Sequence, residues 1–228
     1  MKRYIQYCFF LFLAAGFVSC KKDGYKADGG KSDPHVNMTT YDWLKSQPLF
    51  DSLVRIIDRA GMQEAVNGNI TLFVTTNYGV ADFVQARKIK RGAALGDENL
   101  PFSIDSLPAA EMSDSLKMYM FNGKINREDM TLAGRLYDSE LGSLPNVQFM
   151  IKLRRAQDYS DYLQYVDYVQ FTKVVGSRDD EEADPNNIPE LERDQAFDCQ
   201  TSGIITTTGI VHVLHGSHRL FFNSERLN

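Results

Sequence analysis

The feature that most constrains the fold is a dense β-forming stretch near the end of the chain, GIITTTGIVHVLHGSHRLFF, residues 203–222. Isoleucine and valine residues surround a run of three threonines and Gly209. Branched side chains suit a pleated, half-buried surface, and glycine adopts backbone angles that other residues avoid. The stretch therefore predicts two paired strands joined by a tight turn, which close a folded domain.

The composition is that of an ordinary globular chain with room for one sizeable core. It has 228 residues, of which 43% are hydrophobic and 24% are charged. The formal net charge is −5, so no surplus of positive charge exists to neutralise phosphates, and we expect no nucleic-acid partner. Only Cys199 lies beyond the first twenty residues, which excludes an internal disulfide framework.

The N-terminus has the pattern of a secretory address. Lys2 and Arg3 precede an apolar run over residues 4–18, as in the charged and apolar regions of a signal peptide. The Phe-Val-Ser-Cys sequence that ends at Cys20 resembles the lipobox of bacterial lipoproteins, in which the cysteine is acylated. We predict that Cys20 carries an attached lipid such as palmitate. The alternative is a plain secretory signal in which the cysteine is incidental. We therefore predict a signal peptide over 1–19, a lipidated flexible tether over 20–37 and a domain over 38–223.

Helical spacing and capping residues predict four helices in the first half of the domain. Thr39 or Thr40 caps a short helix, and a second helix with one buried stripe ends at Gly61. Asn77 caps a helix from Tyr78 that exits into the basic residues 87–91. Ser113 opens a further helix, which continues through Tyr119 and Met120.

Strand-like segments alternate with two long loops. The expected strands cover Ile70–Thr75, the alternating segment Val147–Leu153, and Tyr165–Val175. The loops cover Gly92–Ala110 and the acidic segment Arg178–Asp194, and we expect both to be insertions that carry recognition surfaces. The acidic loop also allows a calcium site, although its spacing does not match an EF-hand.

Residues of the closing stretch invite chemical hypotheses. His212, His215 and His218 are three apart, but a shared metal ion would require a turn at Gly216 to bring the third histidine back. A triad of Ser202 or Ser217 with His212 and Asp198 can be written down, yet no nucleophile elbow, P-loop, dinucleotide turn or zincin helix is present. We predict no catalytic residue, metal or cofactor, and an inert, buried Cys199.

Two separated segments resemble the signatures of fasciclin domains. TLFVTTNYGVADF, residues 71–83, is similar to the first signature, and TTTGIVHVLHGSH, residues 206–218, is similar to the second. The chain departs from the family pattern at Thr75 or Thr76, at Thr208 and at Met120, where the family usually has Pro, Asn and His. The signature positions, which we expect to be structural, are Thr71, Leu72, Phe73, Asn77, Gly209, Ile210, His212 and Val213.

The resemblance implies an α+β fold, a wedge-shaped β-sandwich flanked by α-helices, as a single domain with two loop insertions. It also implies a non-enzymatic adhesion or binding module. Together with the N-terminal pattern, it predicts a surface-exposed lipoprotein of the bacterial outer membrane that binds a protein or glycan partner. The alternative is a structural accessory subunit of an outer-membrane glycan-uptake complex, which neighbouring transporter genes would favour.

Overall fold

The computed structural model describes residues 33–142, 147–159, 161 and 163–222. Cys20, the predicted signal peptide and most of the predicted tether lie outside these residues. One compact unit begins at Pro34 and contains every helix and strand described below. None of the helices in the described part of the chain combines the length and apolar composition that a membrane-spanning segment needs.

Helices predominate in the first half of the described chain and strands in the second half, as the sequence predicts for an α+β chain. The α-helices are α1 (Thr40–Ser46), α2 (Asp51–Ala60), α3 (Gln63–Val66), α4 (Asn77–Leu95) and α5 (Ala109–Leu116). The strands are β1 (Ile70–Val74), β2 (Met120–Asn122), β3 (Arg135–Tyr137), β4 (Val147–Ala156), β5 (Val166–Val175), β6 (Gln195–Ile205) and β7 (Ile210–Leu214).

The seven strands form one mixed sheet in the order β2-β1-β7-β6-β5-β4-β3. Strands β1 and β7 run parallel, with Phe73 opposite His212, and the remaining neighbours are antiparallel. The hairpin of β6 and β7 confirms the paired strands predicted for the closing stretch. Every residue of β1 and of β7 is buried, which suits the parallel pair at the centre of the fold.

Aromatic side chains show that this sheet folds over on itself. Phe73 of β1 stacks on Phe171 of β5 with ring centroids 4.3 Å apart, although the two strands are not hydrogen-bonded neighbours. Phe121 of β2 likewise contacts Phe149 of β4. The seven strands thus form one strongly curved mixed sheet with the aromatic core inside it.

Alternate residues of β1 face two different partners. Leu72 and Val74 line a small internal space together with Leu53 and Ile57 of α2, whereas Phe73 points to the opposite half of the sheet. Side chains alternate between the two faces of a strand, so β1 separates a helix layer from the aromatic core. This arrangement explains why the segment reads as continuously apolar.

Local capping signals confirm the first two helices. Thr39 is the N-cap of α1, where its hydroxyl accepts from the N–H of Asp42, and α2 ends at Gly61. Helix α4, however, continues through the basic residues to Leu95 and ends at Gly96, whose φ is 68°. Gly92 is needed for a different reason, because a Cβ there would lie 2.7 Å from the carbonyl oxygen of Asp97.

The helix predicted from Ser113 to Met120 is wrong at both ends. Helix α5 begins at Ala109, directly after Pro108, which cannot donate a backbone hydrogen bond but accepts one from Met112. A 3-10 turn follows over Lys117–Tyr119, and Met120 already belongs to β2. Burial of Met120 against the sheet outweighs its helical propensity.

Residues 34–38 lie along the end of the β6–β7 hairpin. His35 forms a parallel bridge with Ile205, Val36 N donates to Ile205 O at 2.9 Å, and Thr207 N donates to Met38 O at 2.9 Å. The last residues assigned to the tether by sequence therefore belong to the folded unit.

Candidate functional site

The first signature positions fix β1 and the start of α4. Thr71 is fully buried; its Oγ1 donates to the carbonyl oxygen of Gly123 and accepts from the N–H of Ile125, both at 2.8 Å. Phe73 lies in the aromatic core and Leu72 beneath the helices. These residues hold the segment after β2 against the sheet and present no side chain to solvent.

Asn77 is not a helix cap, as the sequence predicted, but joins the start of α4 to the start of α2 through its side chain. Thr76 occupies the N-cap position, and Asn77 is the first residue of α4. The Asn77 side chain accepts from the N–H of Ser52 at 2.9 Å and donates to the carbonyl oxygen of Pro48 at 2.7 Å. It thereby ties the first turn of α2 to the start of α4.

The second signature begins with the turn at Gly209. A Cβ at this position would lie 2.4 Å from the carbonyl oxygen of Ile70, so only glycine fits. The hydroxyl of Thr206 accepts from the N–H of Gly209 at 2.9 Å, and Thr208 Oγ1 accepts from the N–H of Thr40 at 3.0 Å. Ile210 and Val213 continue as buried residues of β7.

His212 is a buried structural histidine. Its Nδ1 accepts from the N–H of Gly203, and Nε2 lies 3.2 Å from the carbonyl oxygen of Ile125, so we assign the proton to Nε2. Its ring stacks on Phe73 at 4.9 Å. Burial lowers the pKa of His212 to about 4, which keeps the ring neutral at physiological pH.

His218 is also a buried structural histidine of the core. Its Nε2 lies 2.9 Å from the hydroxyl oxygen of Tyr119, and Phe197 and Phe222 pack edge-on against its ring. Burial lowers the pKa of His218 to about 3. The structure therefore places two of the three closely spaced histidines at separate structural contacts.

The structure does not bring together the residues of the Ser-His-Asp triad or of the histidine metal site considered from the sequence. Ser217 contacts the exposed His215, both nitrogens of His212 face backbone groups, and Asp198 is paired with Arg154. Within the described residues, no group of three or more His, Cys, Asp or Glu side chains is placed to hold a metal ion. The thiol of Cys199 is buried, and burial raises its pKa well above the ordinary value.

The acidic loop is organised by its own ion pairs and backbone contacts. Arg178 pairs with Asp180 and Glu181. Asp194 accepts from the N–H of Val175 and of Asp179, and Asp179 accepts from the N–H of Asp194. The loop surrounds a surface depression of about 610 Å³, which is lined by the carboxylates of Asp179, Glu182, Asp184 and Glu192.

A second surface cleft has the properties of a recognition site. It has a volume of about 600 Å³ and is lined by β4, β5, β6 and the turn after β7. Its walls carry Arg154, Tyr159, Tyr168, Asp198 and His215. We take this cleft as the candidate functional site and refer to it as the tyrosine cleft.

One charge pair fixes the floor of the tyrosine cleft. The Arg154 guanidinium donates through Nε, at 3.0 Å, and through Nη2, at 2.7 Å, to the carboxylate of Asp198. Gln170 donates to the same carboxylate at 3.1 Å, and the guanidinium lies over the Tyr168 ring at 5.1 Å. This hydrogen bonding to Asp198 raises the pKa of Arg154 further.

The exposed side chains of the tyrosine cleft retain hydrogen-bonding capacity. Tyr159 is 54% exposed, and the pKa of Tyr168 is raised by burial and by the nearby Tyr159 and Asp158. Nδ1 of His215 accepts from the N–H of Ser217 at 3.2 Å, so we place the ring proton on Nε2, where it can serve a ligand.

Sequence reasoning did not find this site, because its residues come from four separate elements. Asp198 entered only as a member of the triad, and His215 only through the spacing of the three histidines. Arg154 and Asp198 are 44 positions apart. The detectable signal was the cluster of tyrosines at the end of an alternating strand, Tyr159, Tyr165 and Tyr168.

Comparison with known proteins shows a structural similarity. No protein-family model matches the chain, and no curated protein matches it. The chain is similar to the structure of a FAS1 domain pair from the insect cell adhesion molecule fasciclin I, with 9% sequence identity and a TM-score of 0.38. The match covers 82% of this chain and 46% of that chain, so it spans about half of the neighbour's length. The function is therefore inferred from the residues of this chain alone.

Proposed function

We propose that the chain is a non-catalytic binding and adhesion module, anchored by lipid to the bacterial cell envelope, that recognises a protein or glycan partner. The observation that carries the proposal is the tyrosine cleft, a preorganised polar and aromatic concavity with the size of a ligand site.

A non-catalytic role is supported by the way in which the reactive groups are used. His212 and His218 are neutral and hold buried contacts, and Cys199 is a buried thiol with a raised pKa. A nucleophile requires an adjacent base, and among the described residues no third group orients the histidine in the exposed pair of His215 and Ser217.

Binding is tested by presenting the protein to envelope proteins and to a glycan array, with two tyrosine variants. We expect capture of a defined partner that is lost in Tyr159→Ala and kept in Tyr78→Ala. Tyr78 is 70% exposed at the start of α4 and does not line the tyrosine cleft, so it is a matched control. Absence of binding to every envelope protein and glycan would overturn the proposal.

Anchoring is tested separately through Cys20. We expect the chain to incorporate labelled palmitate and to sediment with outer membranes, and Cys20→Ala to abolish both. External protease should reach the domain if it faces outward. Absence of the label from the parent chain would favour a plain secretory signal, and retention of the label in Cys20→Ala would exclude Cys20 as the attachment site.

A further inference from the structure

The net charge of the tyrosine cleft restricts what it can bind. One arginine, Arg154, faces two aspartates, Asp158 and Asp198, which leaves one formal negative charge when His215 is neutral. The chain as a whole has a net charge of −5. Carboxylated, sulfated and phosphorylated ligands are therefore disfavoured, because the cleft would add like-charge repulsion to their desolvation.

The aromatic rings supply flat apolar surface at the mouth of the cleft. Tyr159 is 54% exposed and lines the cleft together with Tyr168. A pyranose ring has one face of C–H groups that packs against such a surface. A tyrosine side chain has only two rotatable torsions, so it loses little conformational entropy on binding.

The polar groups match a hydroxyl-rich ligand. His215 offers the Nε2 proton, the Asp158 carboxylate offers acceptors, and Arg154 is held in a fixed plane by Asp198. Hydroxyl groups both donate and accept, so they can satisfy these groups together without adding a charge. The cleft volume of about 600 Å³ lies in the range of small-ligand sites.

We propose that the tyrosine cleft binds a neutral saccharide, with one sugar ring against Tyr159 and hydroxyl groups on His215, Asp158 and Arg154. This inference rests on the proposed binding function and names its ligand class. A peptide partner is the less favoured occupant, because a stable protein interface buries about 800 Å² on each side and relies on a desolvated apolar centre.

The test uses the full-length chain in a detergent without a sugar headgroup. Probes are an array of neutral hexose oligosaccharides with matched uronate-bearing and sulfated forms, followed by calorimetry with the strongest neutral oligosaccharide. We expect binding to neutral forms that falls at least about tenfold in Tyr159→Ala, or about 1.4 kcal/mol. Tyr159→Phe should retain most of the affinity, and Tyr78→Ala should equal the parent protein.

A charge variant tests the restriction directly. Asp158→Asn should gain binding to the uronate-bearing forms while it changes neutral binding less than Tyr159→Ala does. Stronger binding of the parent protein to acidic glycans, or neutral binding that survives Tyr159→Ala, would overturn the saccharide assignment. Absence of binding to every glycan of the array would also overturn the saccharide assignment. Protein capture that depends on Tyr159 would in that case still support the broader binding function.

Discussion

The hydroxyl oxygen of Tyr119 lies 2.9 Å from Nε2 of His218, inside the core. The same oxygen accepts from the N–H of Phe221 at 2.7 Å, and Phe221 and Phe222 adopt left-handed backbone angles, with φ of 63° and 55°. Such angles are costly for residues with a Cβ. One phenol thus holds the strained C-terminal segment onto the sheet.

Tyr119→Phe should lower the free energy of unfolding by about 1–3 kcal/mol, because it leaves the N–H of Phe221 and Nε2 of His218 without their partner. Urea denaturation measures the change. Tyr137→Phe is the control, since Tyr137 is only half-buried on the edge strand β3, and it should shift stability by less than about 0.5 kcal/mol. Equal effects of the two changes would contradict the role of the Tyr119 hydroxyl.

The buried histidines predict loss of stability in mild acid. A free histidine has a pKa of 6.5, which falls to about 4 for His212 and to about 3 for His218 in the fold. Below pH 6.5 the unfolded chain therefore binds more protons than the folded chain, so the free energy of unfolding falls as pH falls. Each histidine contributes a slope of up to about 1.4 kcal/mol per pH unit.

Denaturation curves between about pH 7 and pH 5.5 measure this slope above the range in which ordinary carboxylates titrate. His218→Gln should remove about half of it, whatever its effect on stability at pH 7. His215→Gln is the control, because it removes an exposed histidine from the same segment. A slope that is the same in all three proteins would show that the buried histidines are not its source.

Gly209→Ala should destabilise the fold by about 1–3 kcal/mol or more, because the new methyl group would meet the carbonyl oxygen of Ile70 at 2.4 Å. Thermal and urea unfolding report the loss. Gly216→Ala provides a matched change, since the nearest atom to its Cβ is Thr76 Oγ1 at 4.0 Å. Its effect should be small, and a Gly209→Ala variant as stable as Gly216→Ala would refute the close packing of the turn.

Asn77→Ala should cost about 1–3 kcal/mol, because the side chain bonds the N–H of Ser52 and the carbonyl oxygen of Pro48. Asn69→Ala removes an exposed asparagine and should be nearly neutral. Hydrogen exchange adds a local readout. The first turn of α2 should lose protection in Asn77→Ala but not in Asn69→Ala.

Local signals in the sequence located the elements whose causes are local. Thr39 and Gly61 act within their own helices, and the alternating segment from Val147 formed the predicted strand. Asn77 was misread as a cap because its partners lie 25 and 29 positions away. Gly92 was misread as a helix end because its need for space comes from Asp97, which lies beyond the helix.

The candidate site could not be predicted for the same reason, because its residues are far apart in the sequence and come from several elements. The spacing of His212, His215 and His218 drew attention to the closing stretch, yet strand alternation and burial send the three rings to different neighbours. The tyrosine cleft depends on the register of β4, β5 and β6, which places Tyr168 opposite Arg154 and Asp198 opposite Gln170. No single-sequence pattern determines that register.

The pairing of residues 34–38 with the β6–β7 hairpin also has a mechanical consequence. The backbone hydrogen bonds at Val36, Ile205 and Thr207 join the two segments side by side. A pull directed along residues 34–38 loads these bonds together, in shear, whereas a pull across them would open them one at a time. If the chain is held at its N-terminus, as we propose, tension from a bound partner therefore passes through this short set of backbone hydrogen bonds before it reaches the centre of the sheet. The force that breaks these bonds is then distinct from the force that unfolds the rest of the domain.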